Sequence, residues 1–321
     1  MNKLKKFQWS TLPPPGWKHT CAESGNLFQH PEWQNVLHQG FDTRTYYIWA
    51  SGEEFSFTVT VFKAGPFRIG YMGFPVAGTL SGSVTHSHLF QLRASGLPID
   101  LLRIPSSAFA TPFEAESQGV ESPETAIVDL PGWSVENLSK LRRDLKKAER
   151  GLFTVNDLTE NGSGALLYDL YRHTVVSKRG SLRYTQKYFQ SLVNYSRRTN
   201  MLRCIAAFKD GSICGYVVCA LNQDCAYYLH GATAVNWKSF GVSDLLLCEA
   251  IGWAQQKEMK NFNFMASPSN QPSLVRYKEK MGGVTRLQRT LEVPFSPLRS
   301  RFLKAAMWAH ERYRWLSTGR A

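Results

Sequence analysis

Residues 225–257 read CAYYLHGATAVNWKSFGVSDLLLCEAIGWAQQK, and within them the apolar pattern changes period once. From Cys225 to Gly231 apolar and aromatic residues follow one another closely, as in a strand buried within a sheet. After a loop ending at Gly241-Val242-Ser243, Leu246, Leu247, Ala250, Ile251 and Ala254 recur at helical spacing, which predicts a helix over 243–257. A strand, a loop and a helix start in succession present free backbone N–H groups and the positive end of a helix dipole together. A phosphate can be held there.

Working outward, residues 201–209 and 212–221 flank Asp210-Gly211, a hairpin signal, and helices are predicted over 165–176 and 186–195. Downstream the pattern predicts a strand over 261–265, a short helix over 274–280 and a last strand over 284–293. Such an order belongs to an α/β (α+β) fold with a mixed sheet. Nearer the N-terminus, Pro31, Trp33, Val36 and Leu37 open a helix, and strands are expected over 45–50, 55–62 and 99–104, with Gly70 to Pro75 as a tight loop.

Between these halves Val135, Leu138, Leu141, Leu145, Ala148 and Leu152 recur every three or four positions behind an N-cap at Ser134. The outer faces of this helix carry Lys140, Arg142, Arg143, Lys146, Lys147 and Arg150 and read either as solvated or as anion-binding. After Pro294 and Pro297, Leu298, Phe302, Ala305, Ala309, Tyr313 and Leu316 share one face of a terminal basic helix that also carries Trp308 and Trp315. It either lies on an anionic membrane surface through residues 296–320 or packs on its own domain. Expected domains are thus 1–130, 131–295 and a C-terminal amphipathic helix over 296–321.

The 321 residues are 43% hydrophobic and 13% aromatic, enough for a sizeable core. No apolar run approaches the roughly 18 to 20 residues that cross a bilayer, and residues 1–15 lack the apolar stretch of an export signal. A cytoplasmic protein is expected, with peripheral contact at the inner face of the membrane as a further option. Six cysteines without a C-x-x-C pair, and an isolated His86/His88 pair read as surface residues, give no metal site. Hydrolase, kinase, P-loop and dinucleotide motifs are absent from the sequence. The net charge of +13 favours anionic ligands: coenzyme A, tRNA, nucleotide sugars or lipid head groups.

Five segments, in order, resemble the FemAB-type and related GNAT-like (CelD-type) acyltransferase families. Phe28-Gln29-His30-Pro31-Glu32-Trp33 is similar to an F-x-x-x-x-W start, and residues 141–151, LRRDLKKAERG, to a basic L-R-R helix. Residues 227–232, YYLHGA, resemble the core strand, 245–257 the helix after it, and 273–283, SLVRYKEKMGG, an S-L-x-x-[FY]-K element. The resemblance implies two tandem GNAT-like domains with an acyl donor bound where the central strands of the second one splay. It makes the segment from Lys238 through Gly241 and Val242 to Ser243 a degenerate coenzyme A pyrophosphate loop, departing from the pattern at Lys238 and Ser243, with Asp244 placing negative charge nearby.

On the same resemblance Lys278, beside Tyr277, occupies the donor end and stabilises negative charge, while His230 at the strand end is the histidine placed to take a proton. Arg142, Arg143, Lys146 and Lys147 become contacts to an anionic acceptor, with Arg183 and Tyr184 lining its side by position. The expected activity is transfer of an acyl group from acyl-CoA to an amine or hydroxyl of a cell-envelope polysaccharide or lipid-linked precursor, without a metal. Aminoacyl-tRNA as donor is the alternative, and a non-catalytic membrane-surface assembly partner the second alternative.

Overall fold

The structure, a computed structural model, describes residues 7–50, 55–109, 119–160, 162–178 and 180–318; for His86 and residues 310–318 it describes the backbone alone. The first half runs β1 (Phe7–Ser10), α1 (Trp17–Glu23), α2 (Pro31–Phe41), β2 (Arg44–Ala50), β3 (Ser56–Ala64), β4 (Phe67–Met72), α3 (His86–Ala94), β5 (Leu101–Pro105) and β6 (Gly119–Ile127). The second runs α4 (Ser139–Arg150), β7 (Thr154–Asp157), α5 (Ser163–Ser177), α6 (Gln186–Ser196), β8 (Leu202–Lys209), β9 (Ser212–Asn222) and β10 (Cys225–Thr233). It continues through α7 (Val242–Gln256), β11 (Asn261–Ala266), α8 (Pro272–Lys280) and β12 (Val284–Pro294) to α9 (Pro297–Thr318).

All described strands join one sheet in the order β1-β2-β3-β4-β5-β12-β6-β11-β10-β9-β8-β7. Each half repeats one plan: antiparallel neighbours, then one parallel pair, β4 with β5 and β10 with β11. The last strand of each half then crosses over. β12 pairs with β5, β6 pairs with β11, and the two exchanged strands pair with each other at the centre. The mixed sheet and the paired halves are those of a tandem GNAT-like fold.

On one face α2, α5 and α6 bury Trp33, Tyr188, Phe189 and Tyr216; on the other, α4 and α7 bury Leu141, Leu246, Ile251 and Phe262. Each fully buried side chain of this size contributes about 1.5–3 kcal/mol. Helix α2 comes from the first half yet packs on α6 of the second, at a spacing only glycine permits: a Cβ on Gly40 would lie 2.7 Å from that of Tyr188. The hairpin forms as its sequence demands, with φ of 50° at Asp210 and 74° at Gly211.

Four expectations change. Gly70 lies inside β4, not in a loop, because a bare Cα is needed against Val59 and Leu102; the turn begins at Gly73. Ser134 caps a single tight turn, accepting from Glu136 N at 3.2 Å, and α4 starts only at Ser139, leaving Leu152 beyond it and 76% exposed. His88 is half-buried, stacked on Phe55 with ring centroids 4.3 Å apart; the side chain of His86 lies outside the described residues. Strand β6 was not expected at all.

Candidate active site

Strands β10 and β11 pair only over Cys225–Tyr227 and Asn261–Asn263. Beyond that β10 follows β9 to Thr233 while β11 follows β6 to Ala266, so the two central strands splay. A register shift marks each strand, between Tyr228 and His230 and between Asn263 and Ala266, where Met265 takes a φ of 63°. Beside the splay lies a groove of about 530 Å³ whose walls include Arg103, Glu124, Tyr227, Asn263, Met265 and Arg286.

A run of hydrogen bonds crosses this point. The Asn263 amide donates to Glu124 Oε1 at 2.9 Å, and Met265 N donates to Asn263 Oδ1 at 2.6 Å. Lys278 Nζ donates to the Met265 carbonyl and to Ser267 Oγ, both at 2.7 Å. Lys278 is 4% exposed; burial brings its pKa down to about 8, against the pull of Glu124. The ammonium therefore ties down the bulge and supplies positive charge behind the splay. Glu124, half-buried, is the acidic residue among those lining the groove.

Lys278 reaches the bulge of β11 from α8, with Tyr277 beside it in the same helix. Lys280 lies over the Tyr277 ring at 5.0 Å and binds Asp244 Oδ1 at 2.6 Å and Asp144 Oδ2 at 3.2 Å; Lys147 joins Asp144 at 2.8 Å. Burial, reinforced by Asp244, holds the Tyr277 phenol well above its usual pKa. The charge of Asp244 is thus neutralised within a network that links α4, α7 and α8. Gly241 (φ 74°) and Val242 are buried, with the Asp144 carbonyl so close that a Cβ on Gly241 would meet it at 2.4 Å. Ser243 Oγ is engaged by Thr233 at 2.7 Å, and Lys238 is exposed.

His230 points elsewhere. Its ring lies among Tyr184, Tyr188 and Phe189, with Nε2 3.1 Å from Tyr188 Oη, and burial lowers its pKa to about 3. An imidazole so enclosed packs a core, and burial weakens it as a base. Tyr184 belongs to the same aromatic cluster, stacking on Tyr188; the exposed Arg183 is held through its backbone by Tyr171 Oη at 2.8 Å. Arg142, Arg143, Lys146 and Lys147 line the exposed face of α4, where Arg142 meets Glu136 at 3.2 Å.

The sequence reading missed Glu124, Asn263 and Arg286. Residues 119–127 contain Pro123, which cannot donate to a ladder, so the segment does not read as a central strand. The irregularity of β11 lies opposite it, where Ser267 N reaches the Pro123 carbonyl at 2.7 Å. Among the described residues no cluster of His, Cys, Asp and Glu could hold a metal ion, and no helix is long and apolar enough to cross a membrane.

Residues 136–279 match the family model for an acetyltransferase (GNAT) domain. FemX has a similar structure at 10% identity, with 88% of this chain and 96% of that chain covered and a TM-score of 0.59. L-PGS from Bacillus licheniformis is similar at 16% identity over 88% and 92% of the two chains, with a TM-score of 0.58. A tandem GNAT protein from the clavulanic acid biosynthesis pathway is similar at 9% identity over 91% and 99%, with a TM-score of 0.53. At these identities the likeness concerns the fold. No curated protein matches the chain.

Residues 136–279 thus carry the pattern of an acetyltransferase (GNAT) domain, within a fold shared with a tandem GNAT protein. The FemAB-type resemblance carried by the sequence motifs agrees with this fold, which FemX and L-PGS share.

Proposed function

We propose that this chain moves an acyl group from a donor at the β10–β11 splay to an amine or hydroxyl of an anionic acceptor in the groove, with acyl-CoA as the donor. The observation that carries this reading is the Glu124 carboxylate beside the splay, fixed through Asn263 to the bulge that Lys278 ties down. The acceptor's nucleophile attacks the donor carbonyl as Glu124 takes its proton; the tetrahedral intermediate then collapses, the thioester C–S bond breaks, and coenzyme A leaves as the thiol with the proton returned by Glu124. The Lys278 charge and backbone N–H groups of the splayed strands stabilise the developing oxyanion. Arg286, exposed on the groove wall, attracts the acceptor's negative group. Residues 1–130 and 131–295 serve as the two domains, on the cytoplasmic side of the membrane.

The groove chemistry together with likeness in fold to FemX and L-PGS supports an acceptor from the cell envelope, a polysaccharide or lipid-linked precursor. A second reading, aminoacyl-tRNA as donor, is favoured by one observation. The buried Gly241 and Val242 withdraw the pyrophosphate loop beneath α4, whose exposed Arg142, Arg143 and Lys146 suit a nucleic-acid backbone.

Calorimetric titration with acetyl-CoA and longer acyl-CoAs, followed by thiol release in the presence of amine and hydroxyl acceptors, tests the first reading. Saturable binding and Glu124-dependent release support it. Absence of both, with salt-sensitive aminoacyl-tRNA deacylation instead, moves the donor to tRNA. Absence of every activity leaves the non-catalytic assembly role.

A further inference from the structure

Helix α9 has two unlike faces. Its inner face is fastened to the first half: Arg299 Nε meets Asp100 Oδ1 at 2.5 Å, Ser300 Oγ donates to the Asp100 carbonyl at 2.6 Å, and Leu303 is buried against Ile69 and Leu101. Lys304 Nζ adds a contact to Glu292 at 3.2 Å, and Met307 packs beside it. The face that the sequence picks out as apolar is the other one. Leu298 and Phe302 are 68% and 66% exposed, Ala305 and Ala309 are exposed on the same line, and the stripe continues in sequence at Tyr313 and Leu316. Arg301 is exposed on its flank and Trp308 is 60% exposed.

We infer that this outward stripe docks on an anionic lipid surface, lying in the plane of the interface. A helix already fastened along its inner face has no need of an apolar outer one for folding, and Leu298 and Phe302 in water forfeit the free energy that burial would release. A tryptophan and an arginine beside an apolar stripe are the composition that settles at the headgroup boundary. Charge selects the occupant: a second copy would bring another net charge of +13 and repeat the Arg301 flank, whereas acidic lipid complements both. The docked helix also adjoins the groove, because Lys304 holds Glu292, and Glu292 pairs at 2.9 Å with the groove residue Arg103. On the acyltransferase reading this sets a lipid-linked acceptor beside the site; the docking itself does not depend on that reading.

The experiment is cosedimentation of the full chain with phosphatidylcholine vesicles, with and without phosphatidylglycerol, and needs no turnover. The chain is expected to sediment with the acidic vesicles and to be released in part by salt. Leu298→Ser combined with Phe302→Ser should lower the partition coefficient about tenfold or more at an unchanged thermal midpoint. Arg301→Glu, which leaves the apolar stripe intact, should weaken binding to acidic vesicles alone. The inference is overturned if the wild-type chain ignores acidic vesicles, or if the double variant binds them equally well. It is also overturned if light scattering shows a dimer that the double variant loses, which would assign the stripe to a second copy.

Discussion

Glu124 and Arg286 are Cα partners across the central β6–β12 pair, and both line the groove, so a carboxylate and a guanidinium contributed by different halves of the chain share one wall. Neither residue alone would suit both steps required of the site. On the proposed mechanism the carboxylate accepts a proton, and the guanidinium draws in an acceptor that carries negative charge.

If Glu124 is the base, Glu124→Gln preserves its hydrogen-bond reach and removes its basicity. The turnover number should fall by about 10²–10⁴, with little change in the Michaelis constant for either substrate. A variant within threefold of the wild type, by about the scatter of such assays, would exclude this assignment.

Replacing Arg286 with alanine should act on binding. Losing a charge-assisted contact of about 1.5–3 kcal/mol raises the Michaelis constant for an anionic acceptor about ten- to a hundredfold, leaving that for the donor unchanged. Arg286→Lys should restore part of the loss, because the charge returns without the fork.

Lys278 ties pH to stability. Its pKa falls from 10.5 unfolded to about 8 folded, so between those values the unfolded chain binds more protons and stability rises with pH. Below about pH 8 the penalty for burying the ammonium is present in full. Urea denaturation across this window should show a slope of up to about 1.4 kcal/mol per pH unit that disappears in Lys278→Met. A slope retained in the variant would mean that another group titrates.

His230 governs the acid side. Both states are neutral above pH 6.5, and as pH falls from there toward about 3 only the unfolded chain takes up the proton, so stability drops. His230→Gln should flatten acid denaturation over this range by about 1.4 kcal/mol per pH unit while leaving turnover largely intact.

Gly40→Ala should destabilise the protein by about 1–3 kcal/mol, since the new methyl would meet the backbone and Cβ of Tyr188. Thermal unfolding reads the effect. An unchanged midpoint would mean that α2 and α6 separate easily.

Much of the second half was legible because local chemistry and tertiary position agree there. Asp210-Gly211 makes its turn, and the apolar period of α7 faces the core. The site itself was hidden for the opposite reason. Glu124 sits in a polar strand interrupted by Pro123, whose place in the sheet is set by partners more than a hundred residues away, β11 and β12. His230 was misleading in a different way: a histidine at the end of a core strand is equally at home facing solvent or facing rings, and only the neighbouring α6 decides.

The exchange of β6 and β12 sets a limit on modularity. The stretch that matches a GNAT domain, residues 136–279, starts after β6 and stops before β12. A fragment trimmed to those borders would keep the splayed strands but lose Glu124 and strip β11 of its outer neighbour, leaving a raw hydrogen-bonding edge open to any passing strand. The second half is therefore not autonomous: its last wall is lent by the first, and gene truncation at the borders of the match should yield aggregate in place of folded protein.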